Sequence, residues 1–189
     1  VETLKIEGSV SLQIRGTGAI HLLMAEATSA HTIRGIVRQS RELGEETNLQ
    51  KIFESDKLVI TIRNKTGSPH QGIVPLDGDN ISDALQAYFD QSEQLPTRIW
   101  FSCDEQSASG LLLQKLPAKD KDKDAWNRIL HLAETTQQKE LLELKAETLL
   151  QRLFHEETLE VFEAKPIEFS CTCSEQRTRD MLMSSGPNR

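Results

Sequence analysis

Along the first hundred residues, apolar side chains alternate with polar ones, the period of a strand with one buried face. Val10, Leu12 and Ile14 alternate with Ser11, Gln13 and Arg15. Arg15-Gly16-Thr17-Gly18 then makes a turn, and Ile20 to Ala25 supplies the partner strand of a hairpin. Ile33 to Arg38 predicts a third strand. Leu58, Ile60 and Ile62 alternate again, and a turn at Thr66-Gly67-Ser68-Pro69 leads to Gln71-Gly72-Ile73-Val74, with Pro75 expected at a sheet edge or strand end. The period then lengthens. Asn80 is placed to cap a helix with Asp83 in its first turn and Ile81, Leu85, Tyr88 and Phe89 on one face. Leu95-Pro96 ends it, Ile99-Trp100-Phe101 begins another strand, and Leu111 to Leu116 is the last of this unit.

Pro117 and the alternating run Lys119-Asp120-Lys121-Asp122-Lys123-Asp124 mark a boundary, read as a solvated linker leading into helix. Beyond it the period is helical. Trp126, Ile129, Leu130 and Ala133 share a face, as do Leu149, Leu150, Leu153 and Phe154, with Leu141, Leu142 and Leu144 on a short piece between them. Leu159 with Val161, and Ile167 with Phe169, predict two short strands around Pro166, followed by Cys171-Thr172-Cys173 and a polar helical stretch to Met183. The fold class expected is α+β: a β-rich core domain with packed helices over 1–117, a helical linker region over 118–169, and a cysteine module beginning at 170–189.

Composition narrows the function classes. The 189 residues carry 22 Lys and Arg against 29 Asp and Glu, a net charge of -7, which opposes the basic face that phosphate binding requires. No apolar run approaches the roughly 20 residues that span a bilayer, and the opening Val1-Glu2-Thr3-Leu4-Lys5 lacks the apolar region of a signal peptide. The expected compartment is the cytoplasm, with neither nucleic acid nor membrane as a partner. An odd number of cysteines (Cys103, Cys171 and Cys173) argues against a structural disulfide framework there.

Candidate chemistry concentrates at Cys171 and Cys173. Thiols two positions apart on an extended segment point to opposite faces, so a turn is needed before both reach one metal. A tetrahedral zinc site takes four ligands, of which this pair supplies two. Taken alone, C-x-C leaves incidental surface cysteines open beside metal binding and redox chemistry, although Arg177 and Arg179 are cations able to favour thiolate. His21, His31, His70, His131 and His155 have no metal-binding spacing, and His155-Glu156-Glu157 reads as a charged helix cap. Gly16-Thr17-Gly18 lacks the third glycine of a dinucleotide fingerprint, and no serine has a nucleophile-elbow context. Trp100, Phe101, Trp126 and the leucine stripes are expected in the core.

Five blocks, in order, resemble the 33 kDa chaperonin (heat-shock protein 33) family. Ser92-Glu93-Gln94-Leu95-Pro96-Thr97-Arg98 resembles its S-E-Q-[LIV]-P-[TS]-[RA] signature, and residues 71–78 resemble its Y-Q-G-x-V-x-L-x-G block, with His70 in place of the aromatic. Arg152-Leu153-Phe154-His155-Glu156-Glu157 resembles R-L-[FY]-H-E-E, and Phe169-Ser170-Cys171-Thr172-Cys173-Ser174 resembles F-x-C-x-C-S; Leu4 to Gly8 and Gln13 to Gly18 resemble its opening sheet.

The resemblance implies an ATP-independent holdase chaperone of the oxidative-stress response, not an enzyme. Its partners would be unfolding client proteins and, when active, a second copy. In the reduced full-length form Cys171 and Cys173 would hold zinc with two further thiolates. Oxidation would pair Cys171 with Cys173, release zinc and uncover apolar surface. Structural zinc contributes roughly 10 to 16 kcal/mol to folding such modules, which sets the direction of that switch. The leucine-rich stretch, with Leu130, Leu142, Leu149, Leu150, Leu153 and Phe154, is the expected client surface. The family's other two cysteines, a C-x-x-C, would lie beyond Arg189, and a further segment ahead of Val1. This chain is therefore expected to lack bound zinc and to be constitutively active. Three other readings are a thiol-disulfide oxidoreductase using the C-x-C pair, a zinc-ribbon nucleic-acid adaptor and a scaffold with incidental cysteines.

Overall fold

Gly8–Arg15 forms strand β1, whose alternate residues Val10, Leu12 and Ile14 face inward. It pairs antiparallel on one side with β2 (Ile20–Thr28) and on the other with β4 (Lys57–Asn64). β3 (Thr32–Gln39) extends the sheet beyond β2, and β5 (His70–Pro75) extends it beyond β4, with Pro75 ending an edge strand as its missing N–H demands. In this computed structural model, which describes residues 7–77, 80–117, 122, 124–171, 179–180 and 183, the sheet order is β5-β4-β1-β2-β3-β8.

The turn after β1 shows why glycines stand there. A side-chain carbon on Gly16 would lie 1.7 Å from the Phe53 carbonyl oxygen, and one on Gly18 2.3 Å from that of Ile52, while the Gly18 N–H donates to the Phe53 carbonyl at 3.1 Å. Phe53 closes a short helix, α1 (Leu49–Phe53), that the hydrophobic pattern does not predict. Five residues are too few to display a period, although Asn48 caps it by accepting from the Lys51 N–H at 3.1 Å.

Helix α2 (Ile81–Tyr88) lies where its stripe predicts, but the Asn80 side chain makes no capping bond; the cap is the Asp83 N–H donating to the Asn80 carbonyl at 3.2 Å. A π-helical turn, Phe89–Glu93, carries α2 into β6 (Thr97–Cys103), which pairs only with β7 (Ala108–Gln114). β7 begins earlier and ends sooner than the Leu111 to Leu116 run, because the register on β6 pairs Cys103 with Ala108 and Thr97 with Gln114.

Three helices follow: α3 (Ala125–Glu134), α4 (Gln138–Glu143) and α5 (Ala146–Phe154). The strand expected around Leu159 and Val161 does not form; the chain there is irregular and both side chains are exposed. A strand needs a partner, and the chain meets one only at β8 (Glu168–Phe169), which lies parallel to the start of β3. Of the polar stretch after Cys171, Arg179, Asp180 and Met183 are helical, and the rest lies outside the described residues.

Two apolar clusters result. One joins Ile14, Leu58, Ile60 and Val74 of the large sheet to Phe53, Leu85, Tyr88 and Ile99. The other joins Ala133, Leu141, Leu149, Leu153 and Phe154 of the helices to Trp100, Leu111 and Leu113. The β6–β7 ribbon thus separates them, one face toward each.

Candidate functional site

The block Ser92–Arg98 is a structural joint. Gln94 adopts a left-handed conformation (φ 53°) that ends the π turn, and the Leu95 N–H donates to the Phe89 carbonyl at 3.1 Å. Glu93 accepts a 2.9 Å hydrogen bond from the Tyr88 hydroxyl. Thr97 is fully buried; its hydroxyl donates to the Leu95 carbonyl at 2.8 Å and accepts from the Gln114 side chain at 3.0 Å. The Gln86 side chain accepts from the Ile99 N–H at 2.9 Å, satisfying a β6 group that faces away from β7. Arg98 pairs with Asp90 at 3.4 Å. The most specific motif in the chain therefore locks α2 to the β6–β7 ribbon.

Arg152–Glu157 is a second joint. Arg152 pairs with Glu140 at 2.7 Å, and Glu140 also accepts from the Gln137 N–H that opens α4. Leu153 and Phe154 are buried in the helical cluster. Glu157 does not cap α5; it accepts from Arg128 of α3 at 2.6 Å, and Asp122 accepts from the same guanidinium at 3.1 Å. Those bonds hold the Glu157 carboxyl below the usual carboxylate range, and the Asp124 backbone N–H, followed by Arg128, does the same for Asp122.

Of the client residues expected from sequence, Leu149, Leu153 and Phe154 are buried, and Leu130, Leu142 and Leu150 half-buried. They form a small core stacked on a two-stranded ribbon. Cys171 is exposed one residue past the β8 pairing, while Cys173 lies outside the described residues. No group of three or more His, Cys, Asp or Glu placed to hold a metal occurs among the described residues, so the described donor set falls short of a tetrahedral zinc site. Cys103 is exposed at the far end of β6. Among the described residues, no helix is long and apolar enough to cross a membrane.

The largest concave feature escapes the sequence reading. Val10, Leu12, Ala25, Ala27, Ile33 and Gly35 of the large sheet face Ile99, Phe101, Gly110 and Leu112 of the ribbon across an apolar groove of about 650 Å³, with Phe169 at its margin. Phe101, expected in the core, is 54% exposed because its face of β6 lines this groove. The small residues Ala25, Ala27, Gly35 and Gly110 are the signal that could have marked it, but the two walls are far apart in sequence.

A family model described as Hsp33 protein matches residues 1–188. Curated relatives named 33 kDa chaperonin include that of Ectopseudomonas mendocina, 43% identical over 192 residues, which spans 98% of this chain and 65% of the relative. That of Azotobacter vinelandii is 44% identical over 193 residues, with 98% and 65% covered. The Nitrosococcus oceani protein is 42% identical over 184 residues, with 97% and 63% covered. This chain therefore spans less than two thirds of their length. In fold it is similar to the crystal structure of the 33 kDa chaperonin (heat shock protein 33 homolog) from Thermotoga maritima, with a TM-score of 0.76, 23% identity, and 95% of this chain and 66% of that one covered.

Proposed function

Because the chain belongs to the Hsp33 family, we propose that it is part of a redox-regulated holdase chaperone. In this reading it binds unfolding polypeptides by apolar contact, without turnover of a substrate, and Cys171 and Cys173 control how much apolar surface is offered. The observation that carries the reading is the placement of the leucine-rich helices. Their cluster rests on β6 and β7 alone, and a two-stranded ribbon is marginal without a covering layer. Such a unit belongs to the low end of local stability, where opening precedes global unfolding. Opening it uncovers Trp100, Leu111 and Leu113 on one side and Leu149, Leu153 and Phe154 on the other.

The tail leaving α5 reaches the cysteines through β8, so a change at Cys171 acts on a segment already tied to the main sheet. Oxidation of the two thiols by peroxide forms one S–S bond and two waters; hypochlorous acid forms the same bond with chloride, a proton and water. The bond would close a tight loop at Cys171–Cys173 and alter the backbone that follows Ser170. Burying about 400 Å² of apolar surface yields ~10 kcal/mol, comparable with the roughly 4 to 15 kcal/mol cost of association, so one patch is marginal and a dimer presenting two is favoured.

The test is light scattering from a thermally unfolding client with the chain present, under reducing conditions and after peroxide. Suppression of aggregation supports the reading, and unchanged scattering in both conditions sinks it. Catalytic reduction of insulin would favour the oxidoreductase alternative. In a protein carrying the full cysteine module, Cys171→Ser with Cys173→Ser should abolish the response to oxidant.

A further inference from the structure

β8 occupies only the first two residues of an eight-residue edge. It pairs parallel with Thr32 and Ile33: the Glu168 N–H donates to the His31 carbonyl at 3.0 Å and the Ser170 N–H to the Ile33 carbonyl at 3.1 Å. Since His31 and Ile33 present their carbonyls outward, the period of the strand turns the backbone groups of Gly35 and Val37 outward too. Among the described residues, no strand covers them.

That edge borders the apolar groove. Ile33 and Gly35 belong to its wall, and Phe169 of β8 stands beside them, 73% exposed, at the groove margin. The chain thus lays one of its own extended segments along β3 with an aromatic side chain at the groove. Gly35 adds a second observation. A side-chain carbon there would meet only the Met24 carbonyl oxygen, at 3.4 Å, an ordinary contact. Packing does not require glycine at this position, and glycine inside a strand weakens it, so its effect is to leave the groove floor open.

We propose that the outer edge of β3 and the adjoining groove form a strand-addition site for an extended apolar polypeptide, and that β8 with Phe169 is a strap occupying its entrance. This rests on the holdase reading and assigns that activity a surface. An incoming segment would bond through its backbone to Gly35 and Val37 and place every second side chain between the two walls. The peptide recognised is therefore extended, with apolar residues at alternate positions. A segment long enough to reach Ile33 must displace β8, so the strap competes with it.

Binding is measured by anisotropy of a short fluorescein-labelled peptide that alternates valine and threonine between terminal lysines. A serine-threonine peptide with the same lysines removes the contribution of charge. Ser170→Pro deletes a strap donor and should tighten binding by about tenfold, since the competent state is then populated more of the time. Gly35→Val fills the groove floor and should weaken binding by about tenfold; Leu112→Glu, on the exposed opposite wall, should do the same should Gly35→Val perturb folding. Equal affinities across wild type and these variants, or equal binding of both peptides, overturn the proposal. Client aggregation is followed in parallel. Suppression that persists unchanged in Gly35→Val and Leu112→Glu removes this surface from the holdase activity while leaving that activity standing. Variant-sensitive peptide binding without suppression by the wild type leaves the surface and removes the holdase reading.

Discussion

The hydroxyl of Tyr88 donates a 2.9 Å hydrogen bond to the Glu93 carboxylate from a side chain that is 1% exposed. It ties the last turn of α2 to the joint that launches β6. Burial, reinforced by the neighbouring Glu93, pushes the phenol up to about 12. The folded protein therefore holds this proton more tightly than the unfolded chain, whose phenol titrates near ~10. The contribution is fully present below that value and is lost as pH rises through about 12. Denaturant midpoints of the wild type should fall more steeply across this interval than those of Tyr88→Phe. At neutral pH the variant should be less stable by about 1 kcal/mol. Parallel pH profiles would show that the phenol is not the titrating group.

The same ring sets the identity of residue 72. A side-chain carbon on Gly72 would lie 2.5 Å from Cε2 of Tyr88. Gly72→Ala should cost about 1–3 kcal/mol in chemical denaturation, through displacement of the ring. In a Tyr88→Leu background the cost should shrink, because the two residues are in direct contact. Additive effects would contradict the clash.

Leu153 is 2% exposed in the helical cluster. Leu153→Ala should destabilise that cluster by about 2–5 kcal/mol. Amide exchange should rise across α3–α5 and an apolar dye should bind more strongly, while exchange in β1, β2 and β4 stays slow. Uniform acceleration through the whole chain would mean that the two clusters do not open separately.

Arg128 ties α3 to the chain beyond α5, with Glu157 and Asp122 as its acceptors. Both carboxyls are held below the ordinary range. Their contribution is present above the unfolded carboxylate range, near ~4, and is lost as pH falls through the lowered folded values. In the wild type, cleavage by an acid protease at residues 155–160 should therefore begin at a lower pH than in Arg128→Met. Identical onsets would show that the ion pairs do not hold this segment.

Much of the fold was legible because strands and helices write their buried face into a local period. Val10, Leu12 and Ile14 mark β1, and the helical stripes mark α3 and α5, without reference to any partner. The joint at Ser92–Arg98 was visible as a motif, but its role was not, since Tyr88, Gln86 and Gln114 complete it from neighbouring elements. The candidate cysteines were named by residue type alone. The groove was not legible, nor was Phe101 as one of its exposed residues.

By itself, then, the sequence determined which side of each segment is apolar, where the chain turns, and where thiol chemistry is possible. Only the tertiary structure decided what covers each apolar side. It turned the two faces of one ribbon toward different clusters, left an open groove between ribbon and sheet, and brought Phe169 to the edge of β3. The physical reason is one of range. Periodicity is imposed by neighbours a few residues away, whereas a wall and its opposite wall meet only through pairing across long separations in the chain.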